Sequence, residues 1–156
     1  MIWSLFFDGV CDPNPCGVMG WGFGLDAQDG RLITNSGVVK EHVGNTNNVA
    51  EYYALGFGIK GVLDLLQSPV APKFTGLHIR GDSNLVVNQV NSLWQVKSPH
   101  LAQLHGRVLE LLRQCGQPWV IEWIPREQNA LADGLSRRAF FEATGRHAKE
   151  WARVKA

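Results

Sequence analysis

Apolar and polar positions divide the chain into an opening set of strands and a remainder in which strands alternate with helices. Residues 2–7 form a short apolar run that an Asp-Gly pair closes, which predicts a strand. Residues 20–26 alternate large apolar residues with glycine, and residues 31–39 fit a third strand after a turn at 27–30. Glycines on one strand face would let another backbone approach closely. The opening therefore predicts three antiparallel strands.

A helical period begins after the asparagine pair Asn47 and Asn48, whose side chains can cap a helix. From there apolar residues recur at spacings of three and four, which is typical of one buried helix face. Ser98-Pro99 opens a later helix that Gly116 ends. The further predicted elements are a strand at 75–80, a short helix at 83–90, a helix at 98–115, a strand at 119–124 and a helix at 130–144.

The resulting order is β-β-β-α-β-α-α-β-α. Hairpin strands followed by strand–helix crossovers predict an α/β protein with a mixed five-stranded sheet flanked by helices. A chain of 156 residues is most simply one domain with a core of its own. We assign residues 1–145 to that domain and interpret 146–156 as a basic C-terminal tail, predicted to form a short helix.

Composition narrows the class of protein without identifying a partner. Hydrophobic content of 45% and charged content of 19% are typical of soluble globular proteins. A net charge of +1 provides no global basic field for nucleic acid. There is no leader segment and no apolar run long enough for a membrane span, so we expect a cytoplasmic protein without membrane contact. Three cysteines without zinc-type spacing predict reduced thiols.

Acidic residues stand where predicted elements end or begin. Asp8 and Asp82 follow apolar strands, whereas Glu51 and Asp133 fall in the first turns of helices. If the first and fourth strands are parallel neighbours, their carboxylates emerge at the same edge of the sheet, where open α/β sheets hold ligands. Because clustered carboxylates repel one another, hard divalent cations would be needed to hold them together. Two such ions can clamp the attacking and leaving oxygens of a phosphoryl displacement.

These residues belong to motifs that resemble the type 1 ribonuclease H family, from Phe6 to about Arg138. The matching segments, in family order, are Phe7-Asp8-Gly9 with Asn14-Pro15, Thr46-Asn47-Asn48-x-x-Glu51, Gly81-Asp82-Ser83, and Asn129-x-x-Ala132-Asp133-x-Leu135. The resemblance implies a ribonuclease H fold and metal-dependent endonucleolytic cleavage of the RNA strand in RNA–DNA hybrids. It further implies a two-metal-ion mechanism with Mg²⁺, or alternatively Mn²⁺, and products with 5′-phosphate and 3′-hydroxyl ends.

The resemblance also implies roles for individual residues. Asp8, Glu51, Asp82 and Asp133 are expected to be the metal ligands, with Asp8 bridging both ions. Neutral amides and a hydroxyl suit contacts with 2′-hydroxyls, base edges or phosphates. The residues expected to contact the hybrid are Gly9, Asn14, Thr46, Asn48 and Asn84.

Two departures place the chain in a subgroup of that family. No histidine lies between Trp123 and Asp133, and Arg126 stands about where many members carry one. Arginine stays protonated and cannot act as a general base, but it can hold a phosphate, so we include it among the candidate catalytic residues. The long basic insertion of some members is also missing, since only Leu93–Lys97 fills that space.

The residues leave alternatives open. The same site could also cleave double-stranded RNA, because A-form duplexes are recognised largely through shape and 2′-hydroxyls. An inactive relative that binds nucleic acid is disfavoured by the presence of all four carboxylates. A carboxylate-cluster exonuclease is disfavoured because the first strand lacks an Asp-x-Glu pair. We expect a monomer.

Overall fold

The computed structural model describes residues 1–149, and the protein is built on one mixed five-stranded sheet. Its strand order is β3-β2-β1-β4-β5. The first three strands are antiparallel neighbours, while β4 is parallel to β1 and β5 is parallel to β4. The predicted fold class is thereby confirmed. The strands are β1 Ile2–Asp12, β2 Val18–Asp26, β3 Leu32–Val39, β4 Gly76–Gly81 and β5 Trp119–Trp123.

Helices follow the predicted order, with one short 3-10 turn at Arg126–Gln128 that the periodicity did not indicate. Ser98 caps α3, and Gly116 ends it in a left-handed conformation, as predicted. The predicted cap of α1 was wrong, because the side chain that accepts a helix N–H there belongs to Thr46. The helices are α1 Asn47–Leu66, α2 Asn84–Val90, α3 Pro99–Cys115 and α4 Ala130–Thr144.

Helices pack on both faces of the sheet at strand β2. Successive residues of this strand point to opposite faces, so one set contacts α1 and the other set contacts α4. Phe23 points into the main core, where its ring lies against Gly61 of α1. The alternate positions Gly20, Gly22 and Gly24 lie under α4. A Cβ atom on Gly22 would stand 2.7 Å from the Cβ of Leu135. The predicted close approach of a backbone to this glycine-rich strand is therefore confirmed, and it sets the position of α4.

Asp8 lies in the middle of β1, so the prediction that it ends this strand was wrong. The strand continues to Asp12 because residues beyond Asp8 pair with β2, as in the match of Asp12 with Val18. What does end near Asp8 is the parallel pairing with β4, whose last partners are Phe7 and Gly81. The expected neighbourhood of the first and fourth strands is confirmed, and both aspartates follow its last pair.

The described chain continues past α4 without a further helix. Helix α4 stops at Thr144, and Gly145 follows in a left-handed conformation. Residues 146–149 are not helical. The remainder of the predicted tail helix, 150–156, lies outside the described residues. Within residues 1–149, no helix has the length and apolar character needed to cross a membrane.

Candidate active site

Three of the predicted ligands meet where β1 and β4 cease to pair. One carboxylate oxygen from each of Asp8, Glu51 and Asp82 lies within 4.8 Å of the others. Asp8 has 0% and Glu51 1% of its surface exposed, whereas Asp82 is half-buried. The strands deliver Asp8 and Asp82, and α1 delivers Glu51 from its first turns. The structure therefore unites residues from three separate segments of the chain.

Gly9 links two of these carboxylates through its backbone. Its N–H donates to Asp8 Oδ1 at 2.9 Å and to Glu51 Oε1 at 2.7 Å. A side chain at this position would clash with the backbone of Ala50 and would stand 2.7 Å from the amide nitrogen of Glu51. The absence of a side chain therefore lets α1 come close enough to β1 for Glu51 to reach the cluster. Contact between this backbone and RNA stays a prediction.

Asp133, the fourth predicted ligand, lies in the first turn of α4 between two guanidinium groups. Its Oδ1 accepts a hydrogen bond from Arg137 Nε at 3.0 Å. Its Oδ2 lies 3.9 Å from Arg126 Nε. Arg126, the candidate that replaces the loop histidine, thus faces a carboxylate of the predicted site from the 3-10 turn. Arg137 was missed in the sequence, although a spacing of four residues on a helix is a recognisable ion-pair signal.

Asn129 joins the start of α4 to the strand that carries Asp8. Its Nδ2 donates to the carbonyl of Phe7 at 2.9 Å, and the residue is 1% exposed. Its Oδ1 is buried, and among residues 1–149 it has no hydrogen-bond partner. A buried acceptor without a partner is unfavourable, and an ion-bound or structural water would satisfy it. The sequence motif contained Asn129, but no role was assigned to it.

The donor set of this cluster fits a hard divalent cation. Carboxylate oxygens are the ligands that Mg²⁺ and Mn²⁺ prefer, and a few of them leave positions for water and phosphate. Like charges this close and this buried are strongly unfavourable without positive charge. The residues that could hold an ion here are Asp8, Glu51 and Asp82. Asp133, the fourth predicted ligand, lies on α4, and its role as a ligand stays a prediction.

A polar groove lies at the N-terminus of α1, the helix that carries Glu51. It has a volume of about 410 Å³, and three of the predicted substrate contacts, Asn14, Thr46 and Asn48, line it. Two of these residues, Asn14 and Thr46, also accept backbone hydrogen bonds that stabilise the start of α1. Asn14 Oδ1 accepts the N–H of Asn47 at 3.0 Å, and Thr46 Oγ1 accepts the N–H of Val49 at 3.1 Å. The groove offers amides and hydroxyls to a ligand, and none of the described residues that line it carries a carboxylate.

Asn84, the remaining predicted contact, is exposed at the first position of α2, two residues after Asp82. Trp123 lies on the same side, since its indole Nε1 donates to the carbonyl of Asp82 at 3.2 Å. Trp123 is 46% exposed, although it lies in a strand. Its strand-like surroundings in the sequence could not reveal that β5 is an edge strand.

Similarity to known proteins agrees with this geometry. A family model described as reverse transcriptase-like matches residues 24–139. Ribonuclease HI of Halobacterium salinarum is 33% identical over 139 residues, which is 88% of this chain and 64% of that protein. The bifunctional protein Rv2228c of Mycobacterium tuberculosis is 36% identical over 101 residues, or 64% of this chain and 26% of that protein. The chain thus spans less than two thirds of these curated relatives.

Solved structures extend the similarity across the domain. The ribonuclease H1 structure from Halobacterium salinarum superposes with a TM-score of 0.78 at 30% identity, covering 91% of this chain and 99% of that one. LC11 ribonuclease H1, solved in complex with an RNA/DNA hybrid, superposes with a TM-score of 0.78 at 29% identity. The match covers 90% of this chain and 98% of that one. Fold and carboxylate cluster together define the class of ribonuclease H-like proteins. The chain belongs to the ribonuclease H family, as the sequence motifs predicted.

Proposed function

We propose that this protein is a ribonuclease H that hydrolyses the RNA strand of RNA–DNA hybrids internally and leaves 5′-phosphate and 3′-hydroxyl ends. The observation that carries the proposal is the convergence of Asp8, Glu51 and Asp82 within 4.8 Å in a chain of this family. A relative with 29% identity over 90% of this chain has been solved with an RNA/DNA hybrid, which supports the same class of substrate here.

The proposed chemistry would use two divalent cations, Mg²⁺ or Mn²⁺, which Asp8, Glu51, Asp82 and Asp133 would hold, with Asp8 as the expected shared ligand. Such ions supply charge stabilisation for the attacking and leaving oxygens of the scissile phosphate. The protein contributes orientation, because the N–H of Gly9 fixes Asp8 and Glu51 relative to each other. Arg126 lies 3.9 Å from Asp133, which supports a role in neutralising charge there, and its guanidinium would hold a phosphate oxygen.

The groove at the N-terminus of α1 is the proposed path of the duplex. Asn14, Thr46 and Asn48 offer neutral donors and acceptors, which recognise 2′-hydroxyls and phosphate oxygens without a net charge. Exposed Asn84 extends this surface beyond Asp82. We further propose that the protein acts as a monomer in the cytoplasm.

The test is cleavage of end-labelled RNA–DNA, RNA–RNA and DNA–DNA duplexes with Mg²⁺ or Mn²⁺. We expect internal cuts in the RNA strand of the hybrid, and their loss in Asp8→Asn, which keeps the shape of the side chain but removes its charge. Equal behaviour of wild type and Asp8→Asn on every substrate would refute the enzymatic proposal. Cleavage of RNA–RNA by wild type alone would widen the substrate range to double-stranded RNA.

Arg126→Ala tests the residue that stands in place of the loop histidine. We expect lower turnover of the hybrid, with the change larger in kcat than in KM, because Arg126 lies beside Asp133 at 3.9 Å. Glu127→Ala alters the neighbouring exposed position and serves as the matched control. Unchanged kinetics in Arg126→Ala would remove Arg126 from the active site.

A further inference from the structure

The segment that follows α4, residues 145–149, is fastened to the far end of β1 and is here named the C-terminal segment. Arg146 donates from Nη1 to Asp12 Oδ2 at 2.9 Å and from Nη2 to the carbonyl of Asp12 at 2.8 Å. The N–H of Lys149 donates to the same Oδ2 at 2.9 Å. Asp12 is buried, and the Arg146 guanidinium also lies over the ring of Phe140. These contacts fix the backbone of the C-terminal segment against the sheet.

The C-terminal segment reaches the candidate active site through one side chain. Arg137 donates from Nη1 to the carbonyl of Ala148 at 3.1 Å and from Nε to Asp133 Oδ1 at 3.0 Å. The Arg137 side chain is 21% exposed, and that of Asp133 is 17% exposed. A continuous series of hydrogen bonds therefore runs from Asp12 through the C-terminal segment and Arg137 to Asp133.

We propose that Arg137 is a positioning residue for Asp133 and that the C-terminal segment holds Arg137 in place. This inference rests on the proposed function, because it takes Asp133 as a metal ligand. An arginine has many rotamers, and fixing one end of its planar guanidinium on a backbone carbonyl reduces the freedom of the other end. The Asp133 carboxylate is then presented in one orientation, as a site that must hold cations and phosphate at fixed distances requires.

The contacts of the neighbouring arginine show what the arrangement at Arg137 adds. Arg138 follows directly on the same helix, and its Nε lies 3.7 Å from Glu142 Oε1 in a pair whose side chains are 79% and 70% exposed. It has the same charge and almost the same distance along the chain from Asp133. Arg138→Gln is therefore a matched control that removes a positive charge without touching the hydrogen-bond series.

The experiment compares Arg137→Gln, Arg146→Gln, the double variant and Arg138→Gln in the chain of 156 residues. Hydrolysis of an RNA–DNA hybrid is followed as kcat and KM, and Mn²⁺ binding without nucleic acid is followed by calorimetry. Urea unfolding of each variant establishes the folded fraction, and Arg146→Lys serves as a milder change at the same position. Arg138→Gln is expected to match wild type in kcat and in Mn²⁺ half-saturation.

We expect Arg137→Gln to lower kcat about tenfold with KM unchanged, since a hydrogen bond to a charged group is lost and no substrate contact is removed. Arg146→Gln should lower kcat about threefold, because it acts only through Arg137. The double variant should equal Arg137→Gln, since two residues in one series are not additive. Wild-type kcat in Arg137→Gln, or a double variant whose losses multiply, would overturn the proposal.

Measuring Mn²⁺ binding distinguishes two roles of Arg137: orienting the Asp133 carboxylate, or acting only as a nearby positive charge. If Arg137 positions Asp133, its removal weakens Mn²⁺ binding and raises the half-saturation concentration. If Arg137 acts only as a nearby positive charge, its removal strengthens Mn²⁺ binding, which would refute the proposal. Absence of hybrid cleavage by wild type would refute the proposed function instead, and the Mn²⁺ isotherms of wild type and Arg137→Gln would still decide the role of Arg137.

Discussion

At the scale of single residues, Gly9 combines a packing role with a hydrogen-bonding role. Its N–H serves the carboxylates of Asp8 and Glu51, and the space that a side chain would need is occupied by the backbone of α1. A side chain here could be accommodated only if α1 moved away from β1. Such a movement would carry Glu51 away from the cluster, so stability and catalysis should change together.

Gly9→Ala is accordingly expected to destabilise the protein by about 1–3 kcal/mol, the usual penalty of overpacking, and to abolish hybrid cleavage. Gly106→Ala is the control, because Gly106 lies inside α3 with open space around it. That change should raise stability by about 0.5–1 kcal/mol, since alanine restricts the unfolded chain more than glycine does. Urea unfolding measures both, and a tolerated Gly9→Ala would contradict the close approach of α1.

Asn129→Ala should lower stability by about 1–3 kcal/mol, because it removes the buried donor to the Phe7 carbonyl. It should also weaken hybrid cleavage, since β1 and α4 carry Asp8 and Asp133 on either side of this hydrogen bond. Asn35→Ala is the control on an exposed strand position. Equal unfolding midpoints for the two variants in urea would show that the Asn129 contact contributes nothing.

The candidate ligands could be predicted because each stands in a local motif, such as Asp133 in its Asn-x-x-Ala-Asp segment. The long-range supporting contacts could not be predicted, because they join distant parts of the chain. Asp12 and Arg146 are 134 positions apart, and Asn129 and Phe7 are 122 positions apart. Nothing in the local pattern of either partner indicates the other.

At the scale of elements, the Thr46 side chain at the start of α1 has two roles. Thr46 Oγ1 caps the helix by accepting the N–H of Val49, and the same residue lines the groove proposed for the duplex. The Thr46 hydroxyl therefore stabilises the helix even when no nucleic acid is bound. The two roles can be separated by comparing substitutions that keep or remove the hydroxyl.

Thr46→Ala should cost about 1 kcal/mol of stability through loss of the cap, whereas Thr46→Ser should stay close to wild type. Thermal unfolding of both variants without substrate measures the capping role alone. KM for the hybrid then measures the groove role, and we expect it to rise in Thr46→Ala. If Thr46→Ala unfolds at the wild-type temperature, Thr46 does not cap α1 in solution.

The predicted boundaries of β1 and α1 were wrong because contacts with distant parts of the chain outweighed the local sequence preference. An Asp-Gly pair usually marks a turn, yet β1 passes through Asp8 and Gly9 because β2 offers partners as far as Val18. The helix α1 begins after Thr46 although two asparagines follow it, since the Asn47 side chain is used by the N–H of Cys11 instead. The helix α3 was predicted closely because its cap, proline and terminal glycine are all local signals.

At the scale of the whole molecule, the burial of two thiols and a phenol makes the free energy of unfolding fall with rising pH in the alkaline range. Burial raises the pKa of Cys11 and of Cys115 from 9.0 to about 11, and it also raises the pKa of Tyr52. The unfolded chain therefore loses these protons before the folded protein does. The stabilisation is fully present below pH 9 and is lost as the pH rises from about 9 towards 11.

Urea unfolding at pH 8 and at pH 10 should show this decline, and Cys115→Ala should show a smaller decline than wild type between the same two pH values. Cys16→Ala is the control, because Cys16 is exposed and its thiol is solvated in both states. Equal slopes for wild type and Cys115→Ala would contradict the assignment of the pH dependence to buried thiols.

Strand β1 lies between the N-terminal hairpins on one side and the parallel strands on the other. Of the clustered carboxylates, Asp8 lies in β1 and Asp82 directly follows β4. Glu51 lies in α1, which precedes β4 in the chain. No fragment that lacks either half of the sheet can assemble a complete cation cage. Under the proposed function, ion binding is expected to report completed assembly, and cations in solution are expected to stabilise only chains in which both halves of the sheet have been joined.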